Sequence, residues 1–143
     1  RPPRSTPSNS SAASDVYKRQ DIEVYQNEIK KGDIVLIKTG LSKFYRTPKA
    51  HDRPYLTPGA VSWLIQKKIN CLGVDCSGID PKGSDYQINH EALFKNDIPL
   101  IEYLNNLDQL REKRTFLVVL PVPIKGLEAF PVRVIAIEGL ILR

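Results

Sequence analysis

The sequence predicts an α/β fold, and three observations carry that reading. First, Asp33 to Thr39, Thr115 to Leu120 and Val132 to Ile137 enclose short apolar runs rich in β-branched residues, the pattern of buried strands. Second, a stretch with helical apolar spacing lies between the first of these runs and another apolar segment, Cys71 to Asp75. Third, a strand–helix–strand unit this short favours a parallel pair joined by a right-handed crossover.

Taken in order, the first strand spans Asp33 to Thr39 and is bounded by Gly32 and Gly40. Residues 41–56 hold Pro48, Pro54 and mixed charges and read as a loop. Thr57 offers an oxygen to cap a helix, and Pro58 occupies the first helical position, where its missing N–H costs nothing. Ala60, Val61, Leu64, Ile65 and Ile69 then fall on one face, which predicts an amphipathic helix over about 58–69. Cys71 to Asp75 is the next strand. Asp80-Pro81-Lys82-Gly83 is a turn. Asn89 is expected to cap a short helix through about Asn96, Ile98 to Leu104 reads as strand or extended chain, and Asn106 to Lys113 as one or two helical turns. The last two apolar runs close a set of about five strands. Several are apolar on both faces, which predicts that both faces are covered.

Composition sets limits on function. A chain of 143 residues fits one domain, and 41% apolar with 26% charged residues is ordinary for a globular protein. No window approaches the roughly 20 apolar residues that span a bilayer. The formal charge of +5 invites a nucleic-acid reading, but residues 1–20 contribute +3 of it. The rest is scattered among acids rather than clustered with aromatics, which argues against nucleic acid as a partner. The glycines show no phosphate-cradling spacing. Cys71 and Cys76 lack the second pair that a metal knuckle needs and read as reduced, structural thiols. That fits a reducing compartment, and a cytoplasmic location is the expectation.

Residues 1–14 are rich in Pro, Ser, Arg and Ala without apolar period, as in a disordered tail. A sharper reading is available. Ser10 to Gln20 resembles the in-frame translation of a transposase sequencing adapter, and Arg1 to Thr6 a translated flow-cell primer. Residues 1–20 are therefore expected to be an artefactual or disordered tail, to be set aside in fold reasoning. Residues 21–143 then form a domain truncated at its N-terminus.

Few residues can carry chemistry. His90, at the start of a predicted helix, and Glu102, on the strand after it, supply an imidazole nitrogen and a carboxylate oxygen, both standard ligands for zinc or manganese. Two ligands are fewer than the usual three or four, and on local evidence alone a polar surface role fits His90 as well. Asp75, Ser77 and Asp80 follow a parallel strand, where ligands gather in open α/β sheets, although Asp and Ser also shape turns. No nucleophile elbow surrounds Ser77. His51 sits in a charged loop as an exposed residue, and Trp63 reads as packing.

Several strings point further. They are Gly32 to Gly40, Pro54-Tyr55-Leu56-Thr57, Gly73-Val74-Asp75 with Ser77 and Asp80, Asn89-His90 with Leu93, Ile98-Pro99 with Glu102 and Leu104, and Pro131-Val132-Arg133-Val134. In this order and spacing the chain resembles the cyclase family of metal-dependent hydrolases, which includes bacterial kynurenine formamidase and isatin hydrolase. The resemblance covers residues 30–138. It implies a swivelling β/β/α-type domain and hydrolysis of a formamide or cyclic amide, as in conversion of N-formylkynurenine to kynurenine in tryptophan catabolism. It also implies zinc or manganese as cofactor, a small amide substrate, no membrane partner, and a homo-oligomer at full length.

The family's main ligand cluster, His-x-Gly-Thr-His-x-Asp-x-Pro-x-His, does not occur in this sequence, and the expected general base lies within it. A later His and Glu twelve residues apart complete the family's two-metal site, and His90 and Glu102 match them. By the same resemblance Asp75, Ser77 and Asp80 are expected to orient those ligands or face substrate, while Arg133 serves sheet or interface contacts. The fragment alone is expected to be inactive. The competing reading is a non-catalytic binding or scaffold member that kept the fold and lost the metal.

Overall fold

A computed structural model describes residues 16–140. In chain order the elements are β1 (Val16–Tyr17), α1 (Arg19–Glu23), β2 (Ile34–Ile37), β3 (Tyr55–Leu56), α2 (Pro58–Gln66), β4 (Cys71–Val74), α3 (Ile88–Phe94), β5 (Leu100–Ile101), β6 (Phe116–Leu120) and β7 (Arg133–Ile137). Three short 3₁₀ turns, Ser42–Phe44, Pro48–His51 and Leu107–Gln109, punctuate the loops. The chain is α/β, as its sequence predicts.

The central unit is a parallel sheet of order β2-β4-β5. Ile34 to Ile37 pair in register with Cys71 to Val74, and Leu72 and Gly73 with Leu100 and Ile101. α2 forms where expected because Thr57 Oγ1 accepts from the Ala60 N–H at 3.3 Å and Pro58 opens the first turn. It stops at Gln66, short of the expected 69, because Lys68 turns left-handed at φ 57°. Its inner face carries Ala60, Val61, Trp63 and Leu64 into a core shared with Leu72, Ile79 and Leu93. Every residue of β4 is buried. At Gly73 a Cβ would lie 2.7 Å from both Leu104 Cδ1 and Leu36 Cδ2, so any larger residue there must displace these two side chains.

Three features differ from expectation. Asn89 does not cap α3 but lies inside it, because its amide donates to the carbonyls of Leu56 and Ile79 at 2.7 and 3.0 Å. Two extra two-residue strands, β1 and β3, pair in parallel, so a described part of the 1–20 segment takes structure beside Tyr55 and Leu56. Residues 1–15 of that segment lie outside the described residues. Third, the antiparallel ribbon β6–β7 is covered on one face only. Val119 and Val134 pack with Val132 against Cys71, Ile101 and Leu104. The opposite face leaves Phe116, Leu120, Ile135 and Ile137 exposed by 39–56%. Two strands alone have no second layer to close that face. Arg133 opens β7 opposite Leu120 and is exposed.

The ribbon is pinned to the sheet by charge. Arg114, just before β6, donates to both oxygens of Asp33 at 2.9 and 2.5 Å and to the Glu28 carbonyl at 2.9 Å.

Candidate functional site

The site is built around the start of α3. A helix leaves its first N–H groups without intrahelical partners. Here the carboxylate of Asp80 takes two of them: Oδ1 accepts from Asn89 N–H at 2.8 Å, and Oδ2 from His90 N–H at 3.2 Å. The same Oδ2 accepts from His90 Nδ1 at 2.5 Å. Asp80 is only 3% exposed, so this charge is stabilised almost wholly by these donors and by the helix start.

On the other side of the ring, His90 Nε2 lies 3.2 Å from Oε1 of Glu102, which directly follows β5. The imidazole is thus clamped between two carboxylates delivered by different elements. Glu102 first, and then Asp80, raise the His90 pKa above its ordinary value, against burial, which pulls it down. Of the five residues singled out in the sequence, the structure brings together Asp80, His90 and Glu102.

Asp75 and Ser77 make other contacts. Asp75 is buried and accepts from Thr39 N–H and Oγ1 at 2.6 Å each and from Gly40 N–H at 2.8 Å, tying the exit of β2 to the exit of β4. Ser77 Oγ accepts from Arg53 Nη1 at 3.4 Å, and Arg53 Nη2 donates to the Asp80 carbonyl at 3.2 Å. Arg53 Nε is buried with no hydrogen-bond partner. Gly78, at φ 137°, makes this crowding possible. A Cβ there would sit 3.2 Å from Glu102 Oε1 and 3.3 Å from Arg53 Nε. Arg53 was not singled out in the sequence; its only signal was its place just before Pro54, and nothing local tied it to Ser77 or Asp80.

The donor chemistry fits half of a metal site. Nδ1 faces Asp80 and Nε2 is the ring nitrogen turned toward Glu102, an arrangement in which a histidine can take a metal. Nε2 and the adjacent Glu102 oxygen form a nitrogen–oxygen pair suited to zinc or manganese. Among the described residues, no group of three His, Cys, Asp or Glu side chains is disposed to hold a metal ion. His51 is exposed at the end of a 3₁₀ turn. Cys71 and Cys76 are free and buried, and burial pushes the Cys71 thiol up to about 11. No helix among the described residues is long and apolar enough to cross a membrane.

A parallel sheet with a His–carboxylate cluster beyond its strand ends defines the class as an α/β domain. Residues 6–81 match the family described as "Putative cyclase", and the chain belongs to this cyclase family. It is 31% identical over 81 residues to a kynurenine formamidase of Bordetella pertussis, covering 57% of this chain and 38% of that one. It superimposes with a TM-score of 0.72 and 30% identity on a structure described as a "predicted metal-dependent hydrolase" from Bacillus stearothermophilus, covering 87% of this chain and 58% of the other. An isatin hydrolase bound to the product analogue thioisatinate gives a TM-score of 0.74 at 25% identity, covering 86% and 53%. The chain therefore spans about half the length of these relatives, or less.

Proposed function

We propose that this chain supplies part of the active centre of a metal-dependent hydrolase that cleaves the C–N bond of a formamide or cyclic amide, with arylformamidase-like specificity. The observation that carries the reading is His90 held between Asp80 and Glu102, in a chain whose relatives are named as hydrolases. His90 Nε2 and Glu102 would hold zinc or manganese. When bound, such an ion lowers the pKa of water to about 7 and polarises an amide carbonyl.

The chain's own residues prepare that position. Asp80 faces Nδ1 and fixes the ring plane. The guanidinium of Arg53, anchored on Ser77 and the Asp80 carbonyl, places a permanent positive charge across Gly78 from Glu102. Two donors fall short of the usual three or four, so the remaining ligands and the general base belong to a His-x-Gly-Thr-His-x-Asp type segment outside this sequence. The complete protein, on this reading, is a cytoplasmic homo-oligomer acting on a small amide.

Titration of the chain with Zn²⁺ or Mn²⁺, followed on the His90 ring nitrogens by NMR, tests the pair. Weak binding that perturbs His90 is expected, with loss of the effect in Glu102→Gln. An effect on the His90 ring that survives this substitution would dismiss the pair as ligands. The chain alone is expected to show no aryl-formamide turnover, and measurable turnover would refute a site completed from elsewhere. The full-length protein separates the hydrolase from a non-catalytic binding member: an intact ligand cluster of that type marks the first, a substituted one the second.

A further inference from the structure

The turn between β4 and α3 carries Asp80, and Asp80 in turn holds the His90 ring and the opening amides of α3. The half-buried Arg53, from the loop before β3, grips that turn from outside. Its Nη1 donates to Ser77 Oγ at 3.4 Å and its Nη2 to the Asp80 carbonyl at 3.2 Å, one bond on each side of Gly78 and Ile79. A guanidinium is a rigid planar fork, so two anchors on one turn fix where its remaining donor points.

That remaining donor is unspent. Arg53 Nε is buried with no hydrogen-bond partner, and among the described residues Arg53 forms no ion pair. A buried N–H without an acceptor costs free energy, and folded proteins leave few of them. Asp80 cannot serve, because its carboxylate is committed to Asn89 and His90. Glu102 can. A Cβ added to Gly78 would meet Glu102 Oε1 at 3.2 Å, Arg53 Nε at 3.3 Å and Arg53 Nη2 at 3.4 Å. Donor and carboxylate oxygen therefore border one small gap, kept open because residue 78 has no side chain. The Glu102 side chain is 32% exposed and makes a 3.2 Å contact with His90 Nε2. The terminal torsion of a glutamate is broad, so its carboxylate can turn toward that gap.

We propose that Arg53 is a positioning residue for the His90–Glu102 pair: it pins the turn that carries Asp80, and its Nε–H is a second seat for the Glu102 carboxylate when that group leaves His90 Nε2. One side chain then sets both carboxylates around the imidazole, Asp80 through the turn and Glu102 directly. The exchange of seats opens Nε2 to an incoming ligand while Glu102 stays beside it. The use of the pair as ligands rests on the hydrolase reading above, whereas the geometry does not.

The test is metal-free NMR on the full chain at one fixed pH. Its failure leaves the hydrolase reading standing, and a failure of zinc or manganese to bind leaves this proposal standing. In the unsubstituted chain a nuclear Overhauser contact between the Arg53 Nε–H and the Glu102 side-chain protons is expected, and its absence would overturn the second seat. Glu102→Gln should move the Arg53 Nε–H resonance, and an unmoved resonance would overturn it equally. Arg53→Gln should displace the His90 ring nitrogen resonances. It should also speed hydrogen exchange at the Asn89 and His90 amides about tenfold, the scale of one lost hydrogen bond to a charged group, with the Leu72 amide in β4 unchanged. Arg53→Lys keeps the charge but loses the fork, and should behave as Arg53→Gln does. Equal acceleration at Leu72 would reduce Arg53 to a general prop of the fold, and full rescue by lysine would leave charge alone as its role. Either result overturns the proposal. The contact in the unsubstituted chain decides the matter even if a variant fails to fold.

Discussion

β4 and β6 read almost alike in the sequence, as Cys71-Leu72-Gly73-Val74 and Phe116-Leu117-Val118-Val119-Leu120, yet they stand in opposite environments. β4 is the middle strand of three, with α2 and α3 packed nearby, and all of it is buried. β6 has one partner, β7, and its outer face holds Phe116 and Leu120 at 43% and 56% exposure. Apolar composition states that a strand can be buried, while the number of neighbouring layers decides whether it is. An open apolar face of this kind marks an interaction or aggregation surface.

The contrast can be broken hardest from the sheet side. Leu64→Ala, at a fully buried position of α2, is expected to destabilise the chain by about 2–5 kcal/mol in denaturant melts. A loss near zero would show that the parallel unit is no better packed than the ribbon. Next comes Asp75→Ala, which strands three partly buried donors of Thr39 and Gly40 at the exit of β2 and should cost about 2–3 kcal/mol. Retained stability there would mean that Thr39 and Gly40 find other partners.

The tie between the two regions is weaker and depends on pH. Arg114 first, helped by the Lys30 N–H and opposed by burial, holds the Asp33 carboxyl below its ordinary value. The folded state therefore binds that proton less readily than the unfolded state. The stabilisation is present above the unfolded aspartate value of about 3.9 and is lost as pH falls through the lower folded value. Because the Arg114 side chain is 63% exposed, the effect should stay under about 1 kcal/mol. Arg114→Ala should flatten the acid limb of a stability–pH curve, and an unchanged limb would remove the tie. Smallest of all, Ile135→Thr on the open face should shift stability by no more than about 0.5 kcal/mol while reducing self-association in light scattering. A larger loss would show that this face is covered after all.

The same contrast explains what the sequence made legible. Thr57-Pro58 and the apolar spacing of Ala60, Val61 and Leu64 located α2 because capping and periodicity are local. The apolar strands declared themselves, but coverage of β6 and β7 was misjudged, since it depends on layers a strand cannot report. At the candidate site, His90, Glu102 and Asp80 were legible as residues and through family resemblance. Their convergence followed only from that resemblance and from nothing local, because a 3.2 Å contact between positions 90 and 102 depends on how α3 returns to β5. Asn89 was misread as a cap for the same reason: its partners, Leu56 and Ile79, are distant in sequence. Arg53 lacked any local signal.

Asp80 has one further consequence. Its single carboxylate carries the opening amides of α3 and the imidazole of His90 together. Ring reorientation and fraying of that first turn are therefore one motion rather than two. Whatever engages the imidazole should slow hydrogen exchange at the Asn89 and His90 amides, on a timescale of minutes to hours. Those two amides serve as a built-in clock for events at the ring.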